Sequence, residues 1–144
     1  MRGLLDTSVF IAEEQERGLA TDRLPDEAAV SVVTLAELEL GVHMASSDEI
    51  RARRLQTVGA VRATYAALPV TEDVASAFAE LVAATRRAGR RPKVQDAWIA
   101  ATARTHDVAL YSQDADFDDF PGISVIRVNK VAAAAETARR HDRS

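Results

Sequence analysis

The chain has 144 residues, 47% of them hydrophobic and 28% charged, with a formal net charge of −4 and no cysteine. This size and composition favour one folded globular domain with an ordinary core, rather than a disordered or fibrous protein. Without cysteine, disulfides and thiolate metal sites are excluded. The negative net charge excludes binding of nucleic acid by overall charge alone. The lack of a long apolar run predicts a cytoplasmic protein without a membrane span or secretion signal.

Apolar runs and helix signals alternate along the chain and predict alternating strands and helices. The predicted strands or extended segments are Gly3–Leu5, Ala29–Val33, Leu68–Val70, Val108–Tyr111 and Ile123–Arg127. The first predicted helix is capped by Thr7 or Ser8, and the second starts at Thr34 and is weakened or ended by Gly41. Three further predicted helices span Asp48–Tyr65, Glu72–Arg87 and Gln95–His106. This alternation is typical of an α/β sandwich around a mainly parallel sheet. We expect one domain over 1–128 and a tail, 129–144, that is either helical or disordered.

Four acidic residues fall where such a fold would bring them to one edge of the sheet. Asp6 directly follows the first strand, and Asp114 follows the strand that ends at Tyr111. Glu37 and Asp96 are expected in the first turns of two helices, where unpaired N–H groups and the helix dipole favour carboxylates. Because ligands of parallel sheets bind beyond the carboxyl ends of strands, we expect the four acids to converge. Converging carboxylates need a cation, and oxygen ligands suit Mg²⁺ or Mn²⁺.

Each acid also has a purely structural interpretation. Asp6 is compatible with a turn and helix cap, and Thr34 with Glu37 matches a capping box. Asp96 is compatible with an ordinary first-turn acid, and Asp114 with a solvated loop. The structural interpretation is the stronger one for each residue alone, whereas their joint placement at one sheet edge favours a functional site.

A basic segment, 86–93, precedes Asp96 in the chain. Its basic residues are Arg86, Arg87, Arg90, Arg91 and Lys93. A solvated helix end accounts for them when they are taken alone, since basic residues suit the end of a helix. A local patch of this kind is also what an acidic protein would need to contact the phosphates of a nucleic acid.

Four segments in order resemble the PIN domain, and specifically the VapC-type toxins of bacterial toxin–antitoxin pairs. They are Leu4–Val9 (LLDTSV), Thr34–Gly41 (TLAELELG), Gln95–Ala103 (QDAWIAATA) and Leu110–Phe117 (LYSQDADF). Each segment alone is weakly specific, but the four together extend the resemblance over roughly residues 1–128. Gln95 stands where the family often has Asn, and Ser112 where it often has Thr, and neither change removes a carboxylate.

The resemblance implies a three-layer α/β/α fold and an endoribonuclease that depends on Mg²⁺ or Mn²⁺. It places metal ligation and catalysis on Asp6, Glu37, Asp96 and Asp114. It implies auxiliary roles for Asp116, Ser112, Thr7 and Ser8. Because segment 86–93 adjoins Asp96, its five basic residues are the predicted RNA-binding group.

The resemblance also implies partners. One is a VapB-like antitoxin that covers the site, and another is a second copy of the chain in a homodimer. The implied substrate is structured RNA, either transfer or ribosomal, whose cleavage inhibits translation.

Three alternatives compete with this interpretation. A haloacid dehalogenase-type phosphatase needs a second Asp two residues after the first, where this chain has Ser8. A receiver domain needs a central phospho-acceptor Asp and a later strand-end Lys, and no convincing pair is found. A noncatalytic PIN-like module that binds RNA or an antitoxin would be favoured by loss of an acid, but all four are present.

Overall fold

The structure, a computed structural model, describes residues 2–15 and 21–128. Within these residues the strands are β1 Arg2–Leu5, β2 Glu27–Ser31, β3 Ala66–Leu68, β4 Ala109–Ser112 and β5 Val125–Arg127. The α-helices are α1 Thr7–Glu14, α2 Val32–His43, α3 Asp48–Thr64, α4 Glu72–Arg87 and α5 Val94–Thr105, with 3₁₀ helices at Thr21–Arg23 and Ala115–Asp119. The predicted tail, 129–144, lies outside the described residues.

The strands form one sheet in the order β3-β2-β1-β4-β5, and every neighbouring pair is parallel. A parallel strand pair needs a crossover connection, which the intervening helices supply. The predicted parallel α/β architecture is therefore confirmed.

Side chains of the central strands alternate between two hydrophobic cores. Leu4 and Leu110 belong to the core that α4 and α5 cover. The next residues, Leu5 and Tyr111, belong to the core that α1, α2 and α3 cover. Because neighbours in a strand point to opposite faces, these cores lie on opposite sides of the sheet and give the three-layer sandwich.

The order of the strands creates a switch point between β1 and β4. From β1 the chain proceeds to β2 and β3 on one side, and α4 and α5 then bring it back to β4 and β5 on the other. Ligands of open α/β sheets bind in the crevice beyond the carboxyl ends of the strands at such a point. Asp6 directly follows β1, and Asp114 lies two residues beyond β4.

Helix α2 begins earlier than the sequence predicted. Ser31 is its cap, and the Ser31 side chain accepts a hydrogen bond from the backbone N–H of Val33 at 3.0 Å. The predictions of a strand through Val33 and of a helix start at Thr34 were therefore wrong, because a capping serine ends a strand that began at Glu27. Gly41 also lies inside the helix, which continues to His43.

Smaller differences concern the edges of other elements. The third strand is Ala66–Leu68 rather than Leu68–Val70, and β4 runs one residue further than predicted, to Ser112. Strand pairing decides these limits, since Leu68 pairs with Ser31 and Ser112 pairs with Arg127.

Gly3 allows β1 to pass close to an aromatic ring, and this contact yields a stability prediction. A Cβ at Gly3 would lie 2.3 Å from Cε2 of the buried Tyr111 and 3.0 Å from Cγ of Pro25. We expect Gly3→Ala to lower the free energy of unfolding by about 1–3 kcal/mol, the usual cost of overpacking. Urea denaturation measures the change.

Gly59 provides the matched control because it lies within α3 and a Cβ there would meet nothing within 4 Å. Gly59→Ala should raise the free energy of unfolding by about 0.5–1 kcal/mol, since alanine favours the helix. Equal stability of the two variants would contradict the proposed close contact.

Candidate metal centre

Asp6 is held at the end of β1 by its backbone and by its side chain. Its N–H donates to the carbonyl of Tyr111 at 2.9 Å, which extends the pairing of β1 with β4. Its carboxylate caps α1 by accepting from the backbone N–H of Ser8 at 3.2 Å. The residue is only 3% exposed. Asp6 itself is therefore the cap of α1, as its structural interpretation predicted, and the alternative cap at Thr7 or Ser8 was wrong.

Two serine hydroxyls connect Asp6 to the loop after β4. Ser112 donates to Asp6 Oδ2 at 2.9 Å and accepts from the backbone N–H of Asp114 at 2.8 Å. Ser8 Oγ lies 3.2 Å from Ser112 Oγ and accepts from the N–H of Gln113 at 3.0 Å. Because the single Ser112 proton is used on Asp6, Ser8 is the donor to Ser112. These hydroxyls fix Asp6 and Asp114 relative to each other.

Three carboxylates form the tightest acidic group among the described residues. Asp96, in the first turn of α5, joins Asp114 and Asp116, and one oxygen from each lies within 4.8 Å of the other two. Asp114 caps the 3₁₀ helix Ala115–Asp119 and accepts from the N–H of Asp116 at 3.0 Å. Asp116, predicted only as an auxiliary residue, thus belongs to this group geometrically.

Glu37 reaches the site through a threonine rather than through a helix cap. It lies in the second turn of α2, not in the first as predicted, because the helix starts at Val32. Its carboxylate accepts from the hydroxyl of Thr7 at 2.8 Å, and the buried hydroxyl of Thr34 lies 3.1 Å from Thr7 Oγ1. Thr7 directly follows Asp6, so this contact connects α2 to the end of β1.

Burial and neighbouring charges raise the pKa values of three acids of the site. Burial, followed by the charges of Asp6 and Asp114, raises the pKa of Asp96 to about 7. Burial also raises the pKa of Asp6, against the lowering effect of hydrogen bonds from Ser8 and Ser112. For Glu37, burial is again the main cause of a raised pKa, and the charge of Asp6 adds to it. Without a cation, these carboxylates repel one another and favour bound protons.

The donor set fits a hard divalent cation. Asp96 Oδ2 is buried and has no hydrogen-bond partner within residues 2–15 and 21–128, although buried polar atoms are normally satisfied. A cation among the carboxylates would satisfy this oxygen and remove the repulsion. Carboxylate oxygens are the ligands that Mg²⁺ and Mn²⁺ prefer.

The basic segment lies beside this acidic group. Arg86, Arg90 and Arg91 line an open cavity of about 700 Å³ together with Gly89 and Pro92, and the neighbouring Arg87 is exposed. Arg90 forms an ion pair with Asp119, and the ammonium of Lys93 lies 2.8 Å from Asp116 Oδ2. The segment is therefore attached at two points to the 3₁₀ helix that follows Asp114.

The fold and the segments that form the site match a known family. A family model described as PIN domain matches residues 3–123. The chain belongs to the PIN-domain family. The sequence resemblance that predicted this family is confirmed.

Two relatives of this PIN domain are ribonucleases from Mycobacterium tuberculosis. It is 43% identical to Ribonuclease VapC5 over 129 residues, or 90% of this chain and 95% of the relative. It is 44% identical to Ribonuclease VapC4 over 128 residues, or 88% of this chain and 97% of the relative. A crystal structure of VapBC-5, a member of the VapBC family of toxin-antitoxin systems, matches with a TM-score of 0.78 and 41% identity, covering 89% of this chain and 98% of that one.

The PIN-domain structure also places two side chains, Trp98 and Thr34, whose positions depend on packing between elements. The ring of Trp98 stacks on Phe78 with centroids 3.8 Å apart, so it packs between α5 and α4. Thr34 was missed as a contributor to the site, because its place beside Thr7 depends on two elements that are distant in sequence. Among the described residues, no helix has the length and apolarity needed to cross a membrane.

The raised pKa of Asp96 predicts how metal-free stability depends on pH. An acid with a raised pKa in the folded state binds more protons there than in the unfolded state, so stability falls as pH rises from about 4 to about 7. We expect Asp96→Asn to unfold at a higher temperature than the wild type in EDTA at pH 8. The difference should shrink towards pH 5.

Asp107→Asn is the control for this experiment. Asp107 is exposed and has a φ of 51°, a conformation that asparagine also tolerates. Thermal unfolding at both pH values should leave this variant close to the wild type. If Asp96→Asn showed the same pH dependence as the wild type, burial and neighbouring charges would not destabilise the ionised Asp96 carboxylate.

Proposed function

We propose that this PIN domain is a metal-dependent endoribonuclease and the toxin of a VapBC-type toxin–antitoxin pair. Two relatives, the ribonucleases VapC5 and VapC4, support the proposal. They are 43% and 44% identical to this chain over nearly their whole length. The observation that carries the proposal is the unpartnered buried oxygen of Asp96 among neighbouring carboxylates. Such a site suits a cation that works on phosphate esters.

The residues that would hold Mg²⁺ or Mn²⁺ are those predicted from the sequence. They are Asp6, Glu37, Asp96 and Asp114, and the position of Asp116 beside Asp96 and Asp114 adds a fifth oxygen donor. When bound, a divalent ion of this kind activates water and stabilises the charge that develops on phosphate oxygens. In the reaction, a water oxygen bonds to phosphorus while one P–O ester bond of RNA breaks, and the leaving oxygen takes up a proton.

The neutral residues of the site have positioning roles in this proposal. Thr7 orients Glu37, and Ser112 orients Asp6 through its hydroxyl while it holds the N–H of Asp114. Ser8 supports Ser112 from the other side. Hydroxyls are suited to this role because they orient carboxylates without neutralising them, which leaves the negative charge available for a cation.

The proposed partners are those that the resemblance to VapC-type toxins implies. A structure 41% identical to this chain belongs to a VapBC toxin–antitoxin complex, which supports a VapB-like antitoxin that covers the site. We further propose a homodimer, a cytoplasmic location, and structured RNA, either transfer or ribosomal, as the substrate whose cleavage inhibits translation.

Cleavage of RNA by the purified protein, freed of any partner, tests the proposal. With Mg²⁺ or Mn²⁺ we expect discrete products from total cellular RNA, and none in EDTA. Asp6→Asn and Asp96→Asn should lose at least about 100-fold in rate, since each removes a charged ligand. Asn at position 6 preserves an acceptor for the cap of α1, so the fold should be retained.

Asp6→Ala and Asp96→Ala should likewise abolish cleavage and toxicity in cells, with Asp107→Asn as an active control. Normal metal-dependent cleavage by any variant at Asp6 or Asp96 would refute the site assignment. Absence of cleavage by a folded, metal-binding wild type would instead favour the noncatalytic module.

The basic residues beside the cavity predict a salt effect. Replacing Arg90 and Arg91 together with Gln should weaken RNA binding. The steepness of log affinity against log salt should fall by about 1.4 to 1.8, because each lost phosphate contact reduces it by about 0.7 in a single-stranded loop and by about 0.9 in a duplex. Arg51 and Arg53 on the exposed side of α3 serve as a control pair with the same change in charge. Equal salt slopes for both double variants would show that the basic segment does not contact RNA phosphates.

A further inference from the structure

Lys93 occupies a position that local helix chemistry disfavours. It is the N-cap residue of α5, and its side chain makes no capping hydrogen bond. Ser, Thr, Asp and Asn are preferred at this position, and the positive end of the helix dipole repels an ammonium group. A residue that contradicts the preference of its helix position is expected to have a role elsewhere in the site. The contacts of the Lys93 ammonium indicate that role.

The ammonium of Lys93 faces the acidic group. Its Nζ lies 2.8 Å from Asp116 Oδ2, and Asp116 is one of the three carboxylates that are close enough to share a cation. The pKa of Lys93 is raised first by this hydrogen bond, then by the charge of Asp116, and then by Asp96 and Asp114. Lys93 also lowers the pKa of Glu37. One side chain therefore interacts with four of the candidate metal ligands.

Lys93 is also free to change partners. Its side chain is 68% exposed, and a lysine has a flexible stem with a compact charge at its end. Neighbouring ion pairs have a different function, because Arg90 pairs with Asp119, which is outside the three-acid group. Both basic residues pair with the 3₁₀ helix Ala115–Asp119, but of the two only Lys93 pairs with a candidate metal ligand.

We propose that Lys93 is a tethered counter-cation of the acidic centre, which holds Asp116 until a divalent ion takes that carboxylate and then turns to an RNA phosphate. This inference rests on the proposed ribonuclease function. The exchange uses one positive charge twice: first to limit carboxylate repulsion, and then to balance charge on the substrate. No bond to Lys93 forms or breaks in either state.

Binding of Mn²⁺ to the full chain without RNA is the first test. The spectroscopic signal of free Mn²⁺ in electron paramagnetic resonance gives the affinity. Lys93→Met removes the competing charge and should tighten Mn²⁺ binding by about three- to tenfold, the range that one charge at this separation produces in a solvated site. Lys93→Arg should keep the wild-type affinity.

Arg104→Gln is the matched control, since Arg104 lies on the same helix about 16 Å along its axis and pairs with Glu80. Its Mn²⁺ affinity should equal that of the wild type. Unchanged or weaker Mn²⁺ binding by a folded Lys93→Met would overturn the proposal and identify the ion pair as a structural clamp.

Cleavage of RNA at saturating Mn²⁺ is the second test. Lys93→Met should lower kcat/KM by about tenfold or more despite its tighter metal binding, and the salt slope of RNA affinity should fall by about one. A wild-type kcat/KM for Lys93→Met would also overturn the proposal. If the wild type cleaves no RNA, the proposed ribonuclease function fails, whereas the Mn²⁺ comparison still decides whether Lys93 is a counter-cation.

Discussion

Repulsion between carboxylates at one edge of the sheet is the constraint on which the rest of the site depends. The parallel pairing of β1 with β4 brings Asp6 close to the loop that begins after Ser112, and α5 directs Asp96 into the same space. Burial makes the repulsion stronger because water cannot screen it. The raised pKa of Asp96 and its unpartnered oxygen are two consequences of this one arrangement.

The surrounding residues restrain the acids without cancelling their charge. Hydroxyls of Thr7, Ser8 and Ser112 donate within the site, and they connect the ends of β1 and β4 with α2. The positive groups lie at the rim, where Lys93 and Arg90 pair with the 3₁₀ helix rather than with buried Asp6. Neutral donors therefore lie inside the site, whereas the cations lie at its rim.

The same division is compatible with the proposed action of an acidic protein on RNA. A net charge of −4 disfavours contact with phosphates at most of the surface, yet the arginines around the open cavity provide a local positive region beside the acids. In the proposed function, phosphate is attracted to this region and reaches the carboxylates only together with a cation. Substrate and metal would therefore each raise the affinity of the site for the other.

The sequence by itself determined the fold class, the family and the identity of the candidate acids. Hydrophobic periodicity and four ordered segments were sufficient because they are local properties, and Asp6 and Asp114 follow strands whose apolar residues are evident. Tertiary structure decided which groups meet. The contact of Thr7 with Thr34, the place of Asp116 beside Asp96, and the pairing of Lys93 with Asp116 depend on strand order and helix docking. Sequence spacing does not encode such distances, since only packing of the whole sheet brings distant residues together. The start of α2 was mispredicted for a related reason: β-branched Val32 and Val33 favour a strand locally, whereas capping by Ser31 and packing against the core select a helix.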